Sequence, residues 1–564
     1  MILEQAYASP SNTTVEGKGS RLNLVADQSR PQVFVNAQVK DSVSFAHAML
    51  GLYQVVCSNL AVTRDHSAYQ EWVQQRYLEE LDVAVVAAIK RLPDLKRESK
   101  ELARQLSEIQ GRIDQLSIDL QASKASFRKD RQRFYHWLYG VNRQAWVIID
   151  PVVSVQDDCV IFEGFSIDES TYGRVTLPSD QLEYRSPIQR GTTNVDFGIG
   201  LATEFERVRS YRPLSLHVGA ESVQVSTTVG TAVEKKVDLP DTWVEGFLQV
   251  QSAVSLPGIE LTLSAGTVAD VIAYLDQRRE RHGPRSLKFH LYSGRHVEIE
   301  LEPWGIRIKE KKFIYRGDQD GEIRVWGRRR LGVLRDLLPD AEQVDVRLLG
   351  TGMPSFWSIQ TGSARFDVGF SGWTANDWAT RARFDQMASI HAPSERVITR
   401  AAALLKERCT LTPGQLAAET RVTRPESTAA LQHLCAEGKA MYDVSIGCYR
   451  WRELFPPGVV ASKRDKDNKL ERAKVLVRDG AVYLQKQDMT ADGQSEFQAA
   501  VTDDRAKTAS SMDVSLSTDA DGRVVYAECT CSDFKHNKLR QGPCQHILAV
   551  VLSTVTDKAT RNHG

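Results

Sequence analysis

Ala527-Glu528-Cys529-Thr530-Cys531-Ser532-Asp533-Phe534, a polar loop, and then Gly542-Pro543-Cys544-Gln545-His546-Ile547-Leu548-Ala549 gather three of the chain's eight cysteines, with a histidine two positions past the last. A structural zinc site needs four soft or borderline ligands converging from two short segments, with thiolate sulfur at about 2.3 Å and imidazole nitrogen at about 2.0 Å. Cys529, Cys531, Cys544 and His546 supply that set. Residues two apart on an extended strand share a face, so Cys529 and Cys531 can reach one ion. Pro543 stands where a helix starts, and the apolar run Ile547 to Leu552 reads as a helix whose first turn presents Cys544 and His546. A strand is expected to face a helix N-terminus across one structural Zn²⁺. The competing reading is three buried thiols or a disulfide, which a cytosolic chain rarely keeps. His536, in the loop between the pairs, fits the ligand spacing less well than His546.

The order C-x-C, gap, C-x-H resembles the SWIM zinc finger, and Thr530, Ser532-Asp533-Phe534, Pro543 and the aliphatic helix after His546 are similar to that family too. The resemblance covers residues 510 to 555 and implies a module for DNA binding or protein interaction. Transposase and Swi/Snf-type helicase parts, which accompany such modules, are not recognisable in this chain. Much of the middle resembles long bacterial SWIM proteins, some of which belong with MoxR-type AAA ATPases and von Willebrand A proteins. That resemblance implies a separate ATPase subunit as partner.

At 564 residues the chain is long enough for several domains, and its 42% apolar and 26% charged content is that of a soluble globular protein. Lys+Arg and Asp+Glu both number 72, so no global attraction to a polyanion or a membrane surface follows. Met1-Ile2-Leu3-Glu4-Gln5 lacks a signal-peptide pattern and no run of about eighteen apolar residues occurs, so the expected location is cytoplasmic, without membrane contact.

The fold class expected is multidomain α+β: an N-terminal helical and coiled-coil arm, a central mixed block, a winged-helix-like module and a small C-terminal sheet carrying the finger. Residues 1–30 are polar and read as a flexible tail. In 31–140, Phe45 to Tyr53 has helical periodicity. Leu95, Leu102, Ile109 and Leu116, with Leu106, Ile113, Leu120, Phe127 and Phe134, form a heptad seam, read as a coiled-coil hairpin or a dimerisation coil. In 141–390, short β-branched and aromatic runs alternate with helical inserts at about 195–209, 240–254 and 267–281, suggesting two subdomains divided near 255–265. In 394–455, three helices precede a β-hairpin, which resembles the winged helix-turn-helix. Residues 456–474 read as a charged linker and 475–564 as the finger domain.

Candidate nucleic-acid contacts are Arg328, Arg329 and Arg330 beside Trp326, Arg421 and Arg424 at the start of the third helix of the 394–455 module, and Lys535, Lys538 and Arg540 between the ligand pairs. A charge run is also what a solvated face looks like. Asp157, Asp158, Glu163, Asp168 and Glu169 could pair for acid–base work, although sequence does not fix their separation. No G-x-x-x-x-G-K-[ST] loop and no G-x-S-x-G elbow occurs. Two function classes follow. One is a noncatalytic zinc-binding adaptor or scaffold that docks nucleic acid or protein. The other is an enzyme of unrecognised type in residues 146–378, with a purely structural zinc.

Overall fold

The computed structural model describes residues 3–7, 12–16, 19–26, 33–58, 151–195, 214–219, 235–239, 241–280, 284–372, 382–389, 393–454, 468–489, 494–503, 510–539 and 542–561, with isolated positions between them (205, 206, 208, 210, 378 and 391). The chain divides into two compact units, residues 1–61 with 148–564, and residues 62–147. Every described residue belongs to the first unit, and the heptad seam from Leu95 to Phe134 lies outside the described residues.

An eight-stranded antiparallel sheet forms the centre. Its order across the sheet is Ile259–Ser264, Gln343–Leu348, Ser355–Thr361, Ala364–Phe370, Thr171–Pro178, Cys159–Phe165, Val152–Val155, Gly191–Asn194. Side chains alternate between the two faces of a strand, and strand Cys159–Phe165 shows both packings. Phe162 meets Phe45 of helix Ser42–Cys57, with ring centroids 5.9 Å apart. Phe165 meets Trp243 and Phe247 of helix Asp241–Val254 at 5.4 and 4.8 Å. At Gly164 a Cβ would lie 2.9 Å from Val56 Cγ2, so the missing side chain lets the first helix lie close on the sheet.

Strand Ile259–Ser264 joins this sheet through its pairing with Gln343–Leu348, so the sheet spans the stretch where two subdomains were expected to divide. Residues 1–30, expected as a loose tail, contribute strands Leu3–Tyr7, Asn12–Glu16 and Gly19–Val25. Leu22 and Leu24 alternate into the core, and their strand runs parallel to Leu214–Gly219. Polar composition hid that short alternation. A separate four-stranded sheet holds Leu287–Leu291, Glu298–Leu301, Ile306–Lys309 and Gly321–Val325.

Residues 394–454 form helices Glu395–Arg408, Pro413–Thr420 and Arg424–Ala436 and a three-stranded sheet of Thr410–Leu411, Cys448–Trp451 and Ala440–Asp443. Thr412 caps the second helix in a reciprocal box with Gln415, and Thr423 accepts the Glu426 N–H at the third. The finger domain is a four-stranded antiparallel sheet of Val482–Met489, Ser495–Asp503, Ser510–Thr518 and Val524–Cys529, with helices Asn468–Arg478, Ser532–Asn537 and Gln545–Arg561. Residues 468–478 are a helix where the sequence was read as a charged linker running to 474. Ala473 and Leu476 are buried, and that short apolar face packs against the C-terminal helix.

Candidate metal centre

Cys529 ends the strand Val524–Cys529, and Cys531, still extended at φ −68° and ψ 159°, is the N-cap of helix Ser532–Asn537. The two cysteines therefore bracket a strand-to-helix corner, not two positions of one strand. The Phe534 N–H donates to Cys531 Sγ at 3.4 Å, and the Cys531 N–H donates to Cys529 Sγ at 3.4 Å. Across from them, Gly542 turns the chain at φ +79°, and Cys544 directly precedes helix Gln545–Arg561, its carbonyl accepting the Leu548 N–H at 3.0 Å. A Cβ at Gly542 would lie 2.8 Å from the Arg383 carbonyl oxygen.

The ligand atoms of Cys529, Cys531, Cys544 and His546 all lie within 4.8 Å of one another, and all four residues are buried. His546 Nδ1 is 3.7 Å from Cys529 Sγ and 4.0 Å from Cys544 Sγ. A tetrahedron with the bond lengths of zinc to sulfur and nitrogen has edges of about 3.6–3.8 Å. Donor type and spacing both fit a single Zn²⁺.

Groups in the cluster shift one another's protonation. Burial alone would lower the His546 pKa, yet hydrogen bonds and charge from Cys529 and Cys531 raise it to about 10. Cys531 is pulled well below the ordinary thiol value by hydrogen bonds from Cys529 and Cys544, and Cys544 is pushed above it by its bonds to Cys529 and Cys531. Three thiolates crowded around one point would repel one another without a positive centre among them. A divalent ion supplies that charge and holds all three as thiolates.

Behind the histidine, His546 Nε2 faces Asp503 Oδ2 at 3.3 Å. Asp503 also accepts from Gln545 Nε2 at 2.7 Å and pairs with Arg472. Neither Asp503 nor Arg472 was picked out from sequence. The alternation of Phe497, Ala499 and Val501 carries inward phase to Asp503, and a carboxylate at that phase was the signal available.

His536 lies outside the cluster, its Nδ1–H donating to the Ser532 carbonyl at 2.7 Å. Lys535 and Lys538 are exposed, with Lys538 Nζ 4.8 Å from the centre of the Phe534 ring, and Arg540 lies outside the described residues.

The other candidate cations sit apart from the finger's metal cluster. Arg328 is buried, with Nη1 donating to the Ser286 and Glu302 carbonyls and Nη2 3.4 Å from Glu280. Arg329 donates to the Leu275 and Arg278 carbonyls and pairs with Glu280 at 2.5 Å. Arg330 is 3% exposed, and burial lowers its pKa to about 10. These arginines hold a 3₁₀ segment, Arg328–Leu334, onto its surroundings and do not form an open phosphate-binding face. Arg421 is exposed, while Arg424 bonds to Asp521 of the finger domain at 2.8 Å. The helix that Arg424 opens is enclosed along Ser427 to Gln432, and Gln432 bonds to Ser255 and to the Ser389 N–H.

Four of the carboxylates of 157–169 have side-chain partners in the structure. Glu163 accepts from Tyr172 and pairs with Arg452 at 2.6 Å, both partners of that pair being 0% exposed. Asp158 pairs with Arg450 at 2.8 Å, Asp157 with Arg190, and Asp168 accepts from Ser166 and Ser170. With Arg174–Asp443 at 2.8 Å, the Glu163–Arg452 and Asp158–Arg450 pairs bolt residues 440–454 onto the central sheet, and Arg450–Asp443 at 2.6 Å closes the hairpin on itself.

Strand, corner and helix N-terminus closing on three cysteines and a histidine define a structural zinc-finger module. Residues 513–554 match the SWIM zinc finger family model, and the module is a SWIM zinc finger. No curated protein matches the chain. Among solved structures, similar chains include the C-terminal region of FEN-1 bound to A. fulgidus PCNA (15% identity, TM-score 0.26), the PCNA2–PCNA3 complex from Sulfolobus tokodaii (10%, 0.25) and proliferating cellular nuclear antigen from Entamoeba histolytica (8%, 0.26). These cover 39% of this chain and 88%, 89% and 89% of their own. Likeness at that level defines neither a shared fold nor a function.

Proposed function

We propose that the chain is a noncatalytic adaptor in which a structural Zn²⁺ organises the SWIM finger as a partner-binding surface. The observation that carries this reading is the burial of all four ligands, 5% exposed or less, around one point. Four protein ligands fill a tetrahedral sphere, so no position is left for a reactive water. The ion would be held by Cys529, Cys531, Cys544 and His546 and would supply cross-linking of strand, corner and helix.

Residues 394–454 serve as a winged-helix-like module whose third helix is packed inside the molecule, which weighs against its reading a DNA groove. The partner is a protein, with a MoxR-type AAA ATPase and a von Willebrand A protein as the candidates that sequence resemblance supplies, and the site of action is the cytoplasm. No helix among the described residues is long and apolar enough to cross a membrane. The test is capture of partner by full-length protein and by a Lys535→Glu/Lys538→Glu double variant with unchanged zinc content. The adaptor reading expects a stoichiometric partner that the double variant loses. Nucleic-acid binding that falls steeply between about 50 and 200 mM salt would instead assign those lysines to phosphate.

Among the described residues, the enzyme reading of 146–378 draws on a cavity of about 330 Å³ between the sheet, helix Asp241–Val254 and the 440–445 turn. In its lining Arg174 and Arg365 pair with Asp367 and Arg347 with Glu260, and Asp345 accepts from Thr262 and Gln343, a self-contained arrangement that favours the adaptor reading.

A further inference from the structure

The geometry points to Asp503 as the positioning residue of the metal centre: it holds His546 with Nδ1 toward the metal and ties helix Asn468–Arg478 to metal occupancy. The inference rests on the zinc reading above. The His546 ring presents its two nitrogens to different neighbours. Nδ1 faces the sulfurs at 3.7 and 4.0 Å, and Nε2 faces the Asp503 carboxylate at 3.3 Å. A neutral imidazole carries one proton, so a ring that binds metal through Nδ1 carries it on Nε2 and needs an acceptor there. His546 is 4% exposed, so water is a poor substitute for that acceptor.

Asp503 is itself held. Arg472 pairs with Oδ1, and Gln545 Nε2 donates to Oδ2. Gln545 and His546 open the same helix, so one carboxylate grips its first turn at two adjacent residues. Arg472 belongs to helix Asn468–Arg478, which packs on the C-terminal helix. The path from metal to that helix is therefore His546, Asp503, Arg472. Asp503 lies on the Nε2 side of the ring, outside the cluster of ligand atoms, and so acts through His546.

The experiment uses full-length protein loaded with zinc, with Asp503→Ala and Asp503→Asn beside it. Long-range ¹⁵N–¹H spectra of histidine-labelled protein read the tautomer, and competition with a chelator reads zinc affinity. Wild type is expected to show His546 metal-bound at Nδ1 and protonated at Nε2. Asp503→Ala is expected to lose about 10–100-fold in zinc affinity. Asp503→Asn, which keeps an acceptor oxygen and the shape, is expected to fall between and to show the wild-type tautomer. Amide exchange in 468–478 is expected to quicken when zinc is stripped from wild type. Zinc bound at Nε2, or an affinity within twofold of wild type in both variants, overturns the positioning role. Exchange in 468–478 that ignores zinc overturns the link to the helix. Wild type that binds no zinc refutes the metal reading itself, which is a different result.

Discussion

Arg452 and Glu163 meet at 2.6 Å with neither side chain exposed, and what each does for the other decides how the hairpin sits on the sheet. Removing one partner of a buried pair leaves an uncompensated charge and costs about 3–5 kcal/mol. Arg452→Met is therefore expected to lower unfolding free energy by that order in denaturant titration. Arg452→Met combined with Glu163→Gln should recover most of the loss, because the stranded charge is gone. Gly542 is a second decisive position. Its φ of +79° and the Arg383 carbonyl facing it leave no room for a methyl group. Gly542→Ala is expected to cost on the order of 1–3 kcal/mol, read as a lower melting temperature of the zinc-loaded chain.

At the scale of elements, the hairpin 440–451 depends on Asp443, which is buried between Arg174 and Arg450. Burial alone would raise its pKa, but the two guanidinium groups outweigh burial and hold it well below the usual carboxylate range. A depressed folded-state pKa contributes stability that is present above the ordinary carboxylate value of about 4 and is lost as pH falls below it. Stability measured from pH 5 downward should therefore drop, and Asp443→Asn should flatten that drop while lowering stability at pH 7.

The elements also show what a linear reading can reach. The helices of 394–454 were legible because caps and glycine stops are local signals, as at Thr412 with Gln415 and at Gly438. The metal ligands were legible because their spacing is itself the chemistry. The eight-stranded sheet was not, since the pairing of Ile259–Ser264 with Gln343–Leu348 joins residues far apart in sequence. Arg328 and Arg330 looked like an exposed basic run because sequence does not say that both are buried, with the Arg328 guanidinium turned inward onto carbonyls.

Across the whole molecule, the finger domain is docked through polar contacts. Arg424 meets Asp521, Arg523 donates to the Ser255 carbonyl at 2.9 Å, and Ser389 donates to the Asp521 carbonyl at 2.9 Å. The central sheet and the 394–454 module have apolar cores of their own. Stripping the metal is therefore expected to raise amide exchange within 510–554 well before the central sheet. Equal loosening of both would mean that the ion stabilises the entire unit.

A zinc ion closed in by four protein ligands leaves its record in the metal content per chain. Cys531→Ser is the informative comparison, because serine is a strong N-cap and keeps that role at helix Ser532–Asn537 while removing a thiolate. Elemental analysis of full-length protein should find about one zinc per wild-type chain and almost none in Cys531→Ser. Zinc absent from wild type, or retained undiminished in the variant, would contradict the ligand set and the role built on it.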